Sequence, residues 1–289
     1  AQALVNNLQF DPELVDAYEF GVKYATGPLT VSAALFRQDF RNFQLNTFNG
    51  SVYLVQTVNG CGGAGLTGGS LADSDQNAST AGSNYNAAAA TTGACATGDV
   101  TWGVRSQGLE LEAVLRPARD LRVGMGVTYS RTRYNEDLVG NRLGAPLDQA
   151  LRALPGQQLS NAPVWVATGS LTWTPEIGGS GLSGLVYIDG RMTGDFNTGS
   201  DLLPQKEQDG YAIVNARVGI RGPDERWAVE FWAQNLFNVN YAQVAFNSPF
   251  QAGATAAPFV DPQYPGGRQI FSQFLAEPRT YGITLRGKF

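Results

Sequence analysis

Apolar and polar residues alternate along most of this chain. The alternation is clearest in the last segment, where one face of an extended strand would carry Tyr281, Ile283, Leu285 and Phe289. Polar residues and glycine fill the intervening positions of that segment. No long segment repeats apolar residues at the spacing of a helix face. The pattern therefore predicts an all-β fold.

The alternation predicts nine strands. They are Asp16–Ala25, Leu29–Leu45, Trp102–Leu115, Leu121–Tyr134, Val164–Thr174, Leu182–Gly194, Tyr211–Arg221, Trp227–Phe237 and Arg279–Phe289. Short connections rich in turn-forming residues alternate with long ones, which cover 46–101, 135–163, 195–210 and 238–278. A β-sandwich would turn at more regular intervals. Tight turns at one end and long loops at the other are typical of outer-membrane β-barrels.

Strand length and aromatic placement favour the same fold. Strands of roughly 11 to 14 residues exceed the usual length and match a tilted crossing of a bilayer. Aromatic residues lie near the predicted strand ends, as in the girdles of membrane barrels. These residues are Tyr18, Tyr24, Trp102, Tyr129, Trp165, Trp173, Trp227 and Tyr281. The favoured fold class is therefore an antiparallel transmembrane β-barrel.

Strand parity bears on how much of a barrel the chain forms. Closed bacterial barrels have an even number of strands. If the short turns are periplasmic, the ninth strand ends on the periplasmic side and the first strand begins outside. Residues 1–289 are therefore predicted to be the C-terminal portion of a larger barrel.

Composition narrows the function classes. The 289 residues include no histidine and two cysteines, which excludes a Ser-His-Asp or Cys-His site and imidazole metal ligands within the chain. A net charge of −5 and a pI near 4.8 argue against nucleic acid as a partner. No apolar run is long enough for a transmembrane helix, and the first ten residues show no signal peptide. No catalytic residue, metal or cofactor is expected.

Three segments resemble the TonB-dependent outer-membrane receptors. The segment from Pro12 to Lys23 (PELVDAYEFGVK) is similar to a stretch that opens a strand in the C-terminal half of those barrels. The segment from Gln234 to Tyr241 (QNLFNVNY) resembles a motif of their penultimate strand. The segment from Glu277 to Leu285 (EPRTYGITL) resembles their closing strand. The three segments occur in the family's order and bracket nearly the whole chain.

The resemblance implies a plugged barrel of about 22 strands, of which this chain would supply the last nine. It further implies active uptake of a scarce small-molecule nutrient, such as a siderophore, cobalamin or saccharide, across the outer membrane of a Gram-negative cell. The TonB-ExbB-ExbD complex would supply the energy through a plug domain that is absent from this chain. Tyr281 and Phe289 would form the signal read by the barrel-assembly machinery, and the long loops would be extracellular.

Three alternatives remain open at this stage. An autotransporter-type translocator has a similar size and also ends on an aromatic residue, but it needs twelve strands and a helix in the pore. A passive porin would differ by its open conductance. A secreted β-sandwich adhesin or lectin would stay in solution without detergent.

The predicted long loops and the polar strand face contain the candidate functional residues. Cys61 and Cys95 are expected to form a disulfide in an extracellular loop, the alternative being two free thiols. The lumen-facing candidates are Glu110, Glu112, Arg217, Glu230, Gln234, Arg286 and Lys288. Candidate ligand-binding residues in the long loops are Tyr85, Trp102, Phe246, Phe250, Phe259, Tyr264 and Phe271. The lumen-facing residues are expected to form the water-contacting inner wall of the barrel. The loop aromatics are expected to lie where a ligand could stack on them.

Three further motifs resemble functional sites, but for each of them an interpretation without such a site is preferred. The run from Gly60 to Gly65 satisfies the G-x-G-x-x-G pattern of dinucleotide sites, but no helix follows it. Asp73, Asp75 and Asn77 have the oxygen spacing of a calcium loop, yet the later ligand positions do not fit. Glu110 and Glu112 could suggest a glycosidase carboxylate pair, but a polar lumen wall is the preferred interpretation.

Overall fold

The computed structural model describes residues 11–48, 53–63, 65–66, 93–147, 151, 153–248 and 270–288. The long strands are β1 (Leu14–Thr26), β2 (Leu29–Arg41), β6 (Val104–Ala118), β7 (Leu121–Tyr134), β9 (Trp165–Trp173), β11 (Leu182–Thr193), β14 (Tyr211–Arg221), β15 (Trp227–Gln234) and β18 (Thr280–Gly287). The shorter strands are β3 (Phe43–Phe48), β4 (Tyr53–Cys61), β5 (Val100–Thr101), β8 (Leu138–Val139), β10 (Glu176–Ile177), β12 (Phe196–Asn197), β13 (Glu207–Gln208), β16 (Ala242–Asn247) and β17 (Phe271–Leu275). Short 3₁₀ turns cover Thr97–Asp99, Pro204–Lys206 and Pro223–Glu225.

The nine long strands form one sheet, in which each strand pairs antiparallel with the next one along the chain. All four short connections therefore lie at one end of the strands, here called the short-turn end. The four long connections lie at the other end of the strands, here called the long-loop end. The prediction of an all-β antiparallel sheet with this alternation is confirmed.

The two faces of the sheet differ in chemistry. Cross-strand pairing puts Phe20, Leu35, Leu109, Tyr129 and Trp165 in one row across five neighbouring strands. This apolar face is exposed, with Phe20 68% and Ile283 61% accessible. A water-soluble sheet would bury such a face in a core. An exposed apolar face is what a lipid-facing barrel wall requires.

Aromatic residues border the apolar face at both ends. Tyr18, Tyr129 and Trp165 lie toward the long-loop end, and Tyr24, Trp173 and Trp227 toward the short-turn end. Trp165 and Trp173 begin and end β9, so eight residue steps of about 3.3 Å separate them along the strand. A strand tilted by about 40° then spans roughly 20 Å of height, close to the apolar band of an outer-membrane barrel. Trp102 departs from the prediction because it lies in the loop before β6.

Two predicted strands end earlier than expected. Asn42 adopts a φ of 53°, which ends β2 and lets Phe43–Phe48 turn away to pair with β4 as a separate hairpin. Asn235 adopts a φ of 48° and ends β15 three residues before the predicted end at Phe237. A left-handed residue breaks the pleat, and asparagine tolerates that conformation better than most residues. The predicted strand end Phe289 lies outside the described residues.

A hydrophobic core lies at the long-loop end. The side chains of Tyr134 at the end of β7 and Val104 at the start of β6 are buried there under the loop from β7 to β9. The other buried members are Leu45, Val58, Leu138, Leu147, Leu151 and Leu154. This core holds the loops against the end of the sheet and so shapes the surface above the polar face.

Candidate functional site

A polar cleft opens on the polar face at the long-loop end, between β14, β15 and the chain that follows β15. Its volume is about 370 Å³. The lining residues are Ile213, Asn215, Gln234, Asn235, Tyr241, Gln243, Leu275, Glu277 and Pro278. Four of these residues carry side-chain amides, and each amide offers both a hydrogen-bond donor and an acceptor.

Asn235 builds one wall of the cleft. Its side-chain Oδ1 accepts a hydrogen bond from the Val239 N–H at 2.8 Å, and its Nδ2 donates to the Val239 carbonyl at 2.9 Å. The same Nδ2 also donates to the Glu277 carbonyl at 3.2 Å, which ties the turn after β15 to the segment before β18. The Asn235 N–H donates to Asn215 Oδ1 at 3.0 Å, and Asn215 Nδ2 donates to Asp189 Oδ2 at 2.9 Å.

Aromatic rings flank the cleft. Tyr241 stacks on Tyr211 with ring centroids 4.0 Å apart and an interplanar angle of 19°. Phe196 lies beside Tyr211 at 6.3 Å. Tyr241 also lines the cleft, so the stacked pair presents an aromatic edge beside the amides. Amides next to aromatic rings suit a ligand that has planar groups and several polar atoms.

A cationic cluster lies lower on the same face, toward the short-turn end. The Glu230 carboxylate is fully buried and accepts hydrogen bonds from Arg217 Nη1 and Arg221 Nη2, each at 3.2 Å. Arg286 Nη2 is 3.8 Å from the same carboxylate. Arg221 Nη1 also lies 3.5 Å from Glu225, so three guanidinium groups meet two carboxylates and the cluster carries a surplus of positive charge on the polar face.

Comparison with known proteins supplies the family. The model of the TonB-dependent receptor-like β-barrel matches residues 1–236 of the 289. The chain belongs to the TonB-dependent receptor family. This match confirms the predicted family. Members of the family are outer-membrane β-barrel proteins. A search of curated proteins finds no match.

Three solved receptor structures share the fold of this chain. The ferric yersiniabactin uptake receptor FyuA from Yersinia pestis aligns with a TM-score of 0.60 at 16% identity, covering 96% of this chain. The siderophore receptor PiuA from Acinetobacter baumannii gives 0.56 at 16% identity over 97% of this chain. The ferric-catecholate import receptor Fiu from E. coli K12 gives 0.54 at 17% identity over 97%. The chain spans only 30%, 29% and 28% of these structures, respectively.

The register places the predicted polar residues on the face opposite the apolar one. Glu110 and Glu112 are exposed in the middle of β6, with Glu110 directly across from Thr128 of β7. Gln234 lines the cleft, and Arg217, Glu230 and Arg286 form the cationic cluster. Lys288 follows β18 with its Nζ 3.9 Å from Glu225.

The predicted ligand-binding aromatics do not form one group. Trp102 lies under the Arg105 guanidinium, 3.9 Å from the ring centroid, in the loop before β6. Phe246 and Phe271 lie on the β16–β17 hairpin, where Phe246 contacts Phe274 and Phe271 lies 5.7 Å from Lys206 Nζ. Tyr85, Phe250, Phe259 and Tyr264 fall outside the described residues.

The predicted disulfide is confirmed. Cys61 at the end of β4 is bonded to Cys95, and the pair packs with Val139, Leu66 and Val100. The Gly-rich run that begins at Gly60 turns back on Asp99, whose carbonyl accepts the Gly62 N–H at 2.8 Å. The calcium-like segment around Asp73 lies outside the described residues.

In the part of the chain that the structure describes, no group of three or more Cys, Asp or Glu side chains could hold a metal ion. No helix among those residues is long and apolar enough to cross a membrane.

Sequence reasoning missed most of the cleft. Asn215, Asn235, Tyr241, Gln243 and Glu277 were not named as ligand-binding candidates, although Asn235 and Tyr241 belong to the QNLFNVNY motif. This motif was the sequence signal for the cleft, because Asn235 lies in the turn after β15 and Tyr241 lines the cleft.

Proposed function

We propose that this chain forms part of the wall of an outer-membrane receptor that imports a ferric siderophore, and that the polar cleft is part of its binding site. The observation that carries the proposal is the family membership of a chain whose amide-lined cleft opens at the long-loop end of the polar face. The similar receptors FyuA, PiuA and Fiu are named for ferric yersiniabactin, a siderophore and a ferric catecholate.

The chemistry of the cleft suits a chelate of this kind. Siderophores present many oxygen atoms and amide groups, and the side chains of Asn215, Gln234 and Gln243 can both donate to and accept from such atoms. The stacked Tyr211 and Tyr241 rings offer a surface for planar ligand groups. In this proposal the long loops are extracellular, so that the ligand meets the cleft before it meets the interior of the barrel.

The remaining parts of the proposal concern the whole receptor. Residues 1–289 would form the C-terminal part of a closed barrel whose plug contacts TonB, and the TonB-ExbB-ExbD complex would supply the energy. The barrel-assembly machinery would read the closing strand with Tyr281 and Phe289. The exposed charges of Glu110 and Glu112, together with the cationic cluster at Glu230, would face the interior and the plug.

Radioiron uptake tests this function. Cells that express the full-length protein are given iron bound to a catecholate siderophore or to yersiniabactin, with and without a functional TonB. Uptake of at least one chelate that disappears without TonB is expected. Uptake that continues without TonB would overturn active import and indicate a passive pore.

Binding of the same chelate tests the cleft. A Gln234→Ala, Gln243→Ala double variant removes two amides, each worth about 1 kcal/mol if it bonds the ligand, so the Kd should rise by roughly tenfold or more. Glu112→Gln, an exposed substitution on the same face, is the matched control and should leave the Kd unchanged. Equal affinity of the double variant and the control would exclude the cleft as the site.

A further inference from the structure

The apolar face ends in charged rows at the long-loop end. Register places Arg37 of β2, Gln107 of β6 and Arg131 of β7 side by side, next to the row of Leu35, Leu109 and Tyr129. The following row contains Asp16, Asp39, Arg105 and Arg133. Residues two apart on a strand are about 7 Å apart and share a face. Four arginines therefore form one outward-facing group, here called the arginine patch (Arg37, Arg105, Arg131 and Arg133).

The charges in this patch do not balance. Asp39 accepts hydrogen bonds from Arg37 Nη2 at 2.9 Å and Arg105 Nε at 2.6 Å, so one carboxylate serves two arginines. The nearby Asp16 is paired with Arg41 at 2.9 Å. Among the described residues, Arg131 and Arg133 have no carboxylate partner. Four positive charges and one negative charge leave a local surplus in a chain whose net charge is −5.

The arrangement of the arginines calls for an anion. Arg105 and Arg133 are directly opposite each other in the β6–β7 pair, and like charges in that position repel. Arg105 is already held by Asp39 and lies over the Trp102 ring. Arg131 and Arg133 thus keep free N–H donors beside a fixed third guanidinium. Guanidinium groups bind phosphate in a bidentate manner and are favoured at such sites.

The patch occurs at one end of the apolar face. At the short-turn end the same face carries Leu115, Leu121, Trp173 and Trp227, and its strand positions are uncharged up to the turns. Among the strands that the structure describes, this face continues past Tyr129 and Trp165 into arginines at the long-loop end. That position is the depth of lipid headgroups, where basic side chains attract anionic lipids.

We propose that the arginine patch binds the phosphate groups of glycolipids in the outer leaflet of the outer membrane. The proposal rests on the proposed function in one respect, namely that the long-loop end is extracellular. The patch is continuous with the lipid-facing surface, so a lipid seated against Leu35, Leu109 and Tyr129 would bring its headgroup phosphate to Arg131 and Arg133. The bound phosphate would also relieve the repulsion between Arg105 and Arg133.

Native mass spectrometry of the full-length protein in detergent tests this site. The probes are a disaccharide glycolipid with two phosphates and the same lipid without phosphate. The wild type should bind the phosphorylated lipid more tightly. An Arg131→Gln, Arg133→Gln variant should lose that preference and bind the phosphorylated lipid about 25-fold more weakly, since each arginine near an anionic surface contributes about fivefold.

Controls separate lipid binding from general effects. Arg119→Gln, Arg122→Gln removes two charges at the short-turn end and should bind as the wild type does. Arg131→Lys, Arg133→Lys keeps the charge and should keep most of the binding, which covers the case in which the glutamine variant fails to fold. Equal affinity for both lipids, or an unchanged glutamine variant, would overturn the proposal. So would displacement of the lipid by inorganic phosphate alone, which would indicate a site for free anions.

The outcome is independent of the transport function. Loss of radioiron uptake in a protein that still prefers the phosphorylated lipid would contradict the import proposal but leave the lipid site standing. Normal uptake by a protein that does not prefer the phosphorylated lipid would support the import proposal and contradict the lipid site.

Discussion

Two asparagines connect the turn after β15 to the closing strand. Asn235 and Asn238 have φ values of 48° and 54°, so both occupy the left-handed region. The Asn238 side-chain oxygen accepts the Arg279 N–H at 3.0 Å, and Arg279 Nη1 donates to the Leu236 carbonyl at 3.4 Å. The QNLFNVNY and EPRTYGITL segments therefore contact each other, and their polar residues fix the turn next to the cleft.

Substituting Asn235 tests the importance of this turn. Asn235→Ala loses the bonds to Val239 and Glu277 and places alanine at positive φ, so the free energy of unfolding should fall by about 2–3 kcal/mol. Asn235→Gly also loses these hydrogen bonds, but glycine adopts a positive φ without strain. The free energy of unfolding should therefore fall less for glycine than for alanine. Thermal unfolding in detergent measures both variants. Asn240→Ala, an exposed neighbour, is the control, and an equal loss there would contradict this assignment.

A buried ion pair lies in the loop between β11 and β14. Lys206 Nζ lies 2.5 Å from Asp201 Oδ2, and the lysine side chain is only 2% exposed. Burial lowers the pKa of Lys206 below its usual value, although Asp201 opposes that shift. Removing one partner of a buried pair leaves the other charge without compensation, whereas removing both avoids the desolvation cost of the two ions.

Substitutions at this pair should therefore have opposite effects. Lys206→Met should destabilise the protein by about 3–5 kcal/mol, and Lys206→Met combined with Asp201→Leu should be neutral or stabilising. Because the folded pKa is lowered, the unfolded chain binds more protons between the two pKa values. Wild-type stability should then rise with pH up to about 10.4, and the double variant should lack that rise. Thermal unfolding from neutral to alkaline pH checks this, and identical pH profiles would contradict it.

At the scale of elements, close approach of strands limits side-chain size. A Cβ at Gly108 of β6 would lie 1.9 Å from the Tyr129 carbonyl oxygen on β7 and 2.9 Å from Phe36 of β2. The backbone oxygen cannot move without disturbing the β6–β7 ladder. Gly108 is therefore required by the approach of the neighbouring strand and by the Phe36 ring that covers it.

Gly108→Ala tests this restriction. The substitution should shift β7 away from β6 and lower the free energy of unfolding by about 1–3 kcal/mol, the usual cost of overpacking. Gly169→Ala in β9 is the matched control, because its Cβ would meet nothing within 4 Å. The folded fraction on unheated gels and thermal unfolding report the difference. Comparable losses at both glycines would show that strand flexibility, rather than steric contact, matters.

For the molecule as a whole, the exposed apolar face determines how the sheet is solvated. Val127 lies on that face in the middle of β7, and its neighbour Thr128 lies on the polar face opposite Glu110. Val127→Arg should cost about 2–4 kcal/mol if the residue contacts the bilayer midplane. Thr128→Arg places the same charge across from a carboxylate and should be tolerated. Equilibrium unfolding in lipid vesicles measures both, and equal tolerance would contradict a lipid-facing role.

The sequence predicts the parts of this architecture that depend on the pattern of neighbouring residues. All nine long strands were predicted, and the bounds of β7 and β14 agree with the prediction, because alternation and turn residues act over a few positions. The ends of β2 and β15 were wrong because Asn42 and Asn235 adopt left-handed conformations that apolar alternation does not reveal. Trp102 was assigned to the girdle by proximity to a strand, but the loop before β6 turns it toward Arg105.

The sequence by itself determined the nine long strands, the apolar and polar faces of each strand and the alternation of short and long connections, because each depends on residues close together in the chain, and three short motifs indicated the family. Only the tertiary structure decided which distant residues meet. The cleft joins Asn215 to Asn235 and Glu277, Asp39 is shared by Arg37 and Arg105, and Glu230 lies among three arginines. These groupings depend on cross-strand register and on the return of the long loops, for which no local periodicity exists.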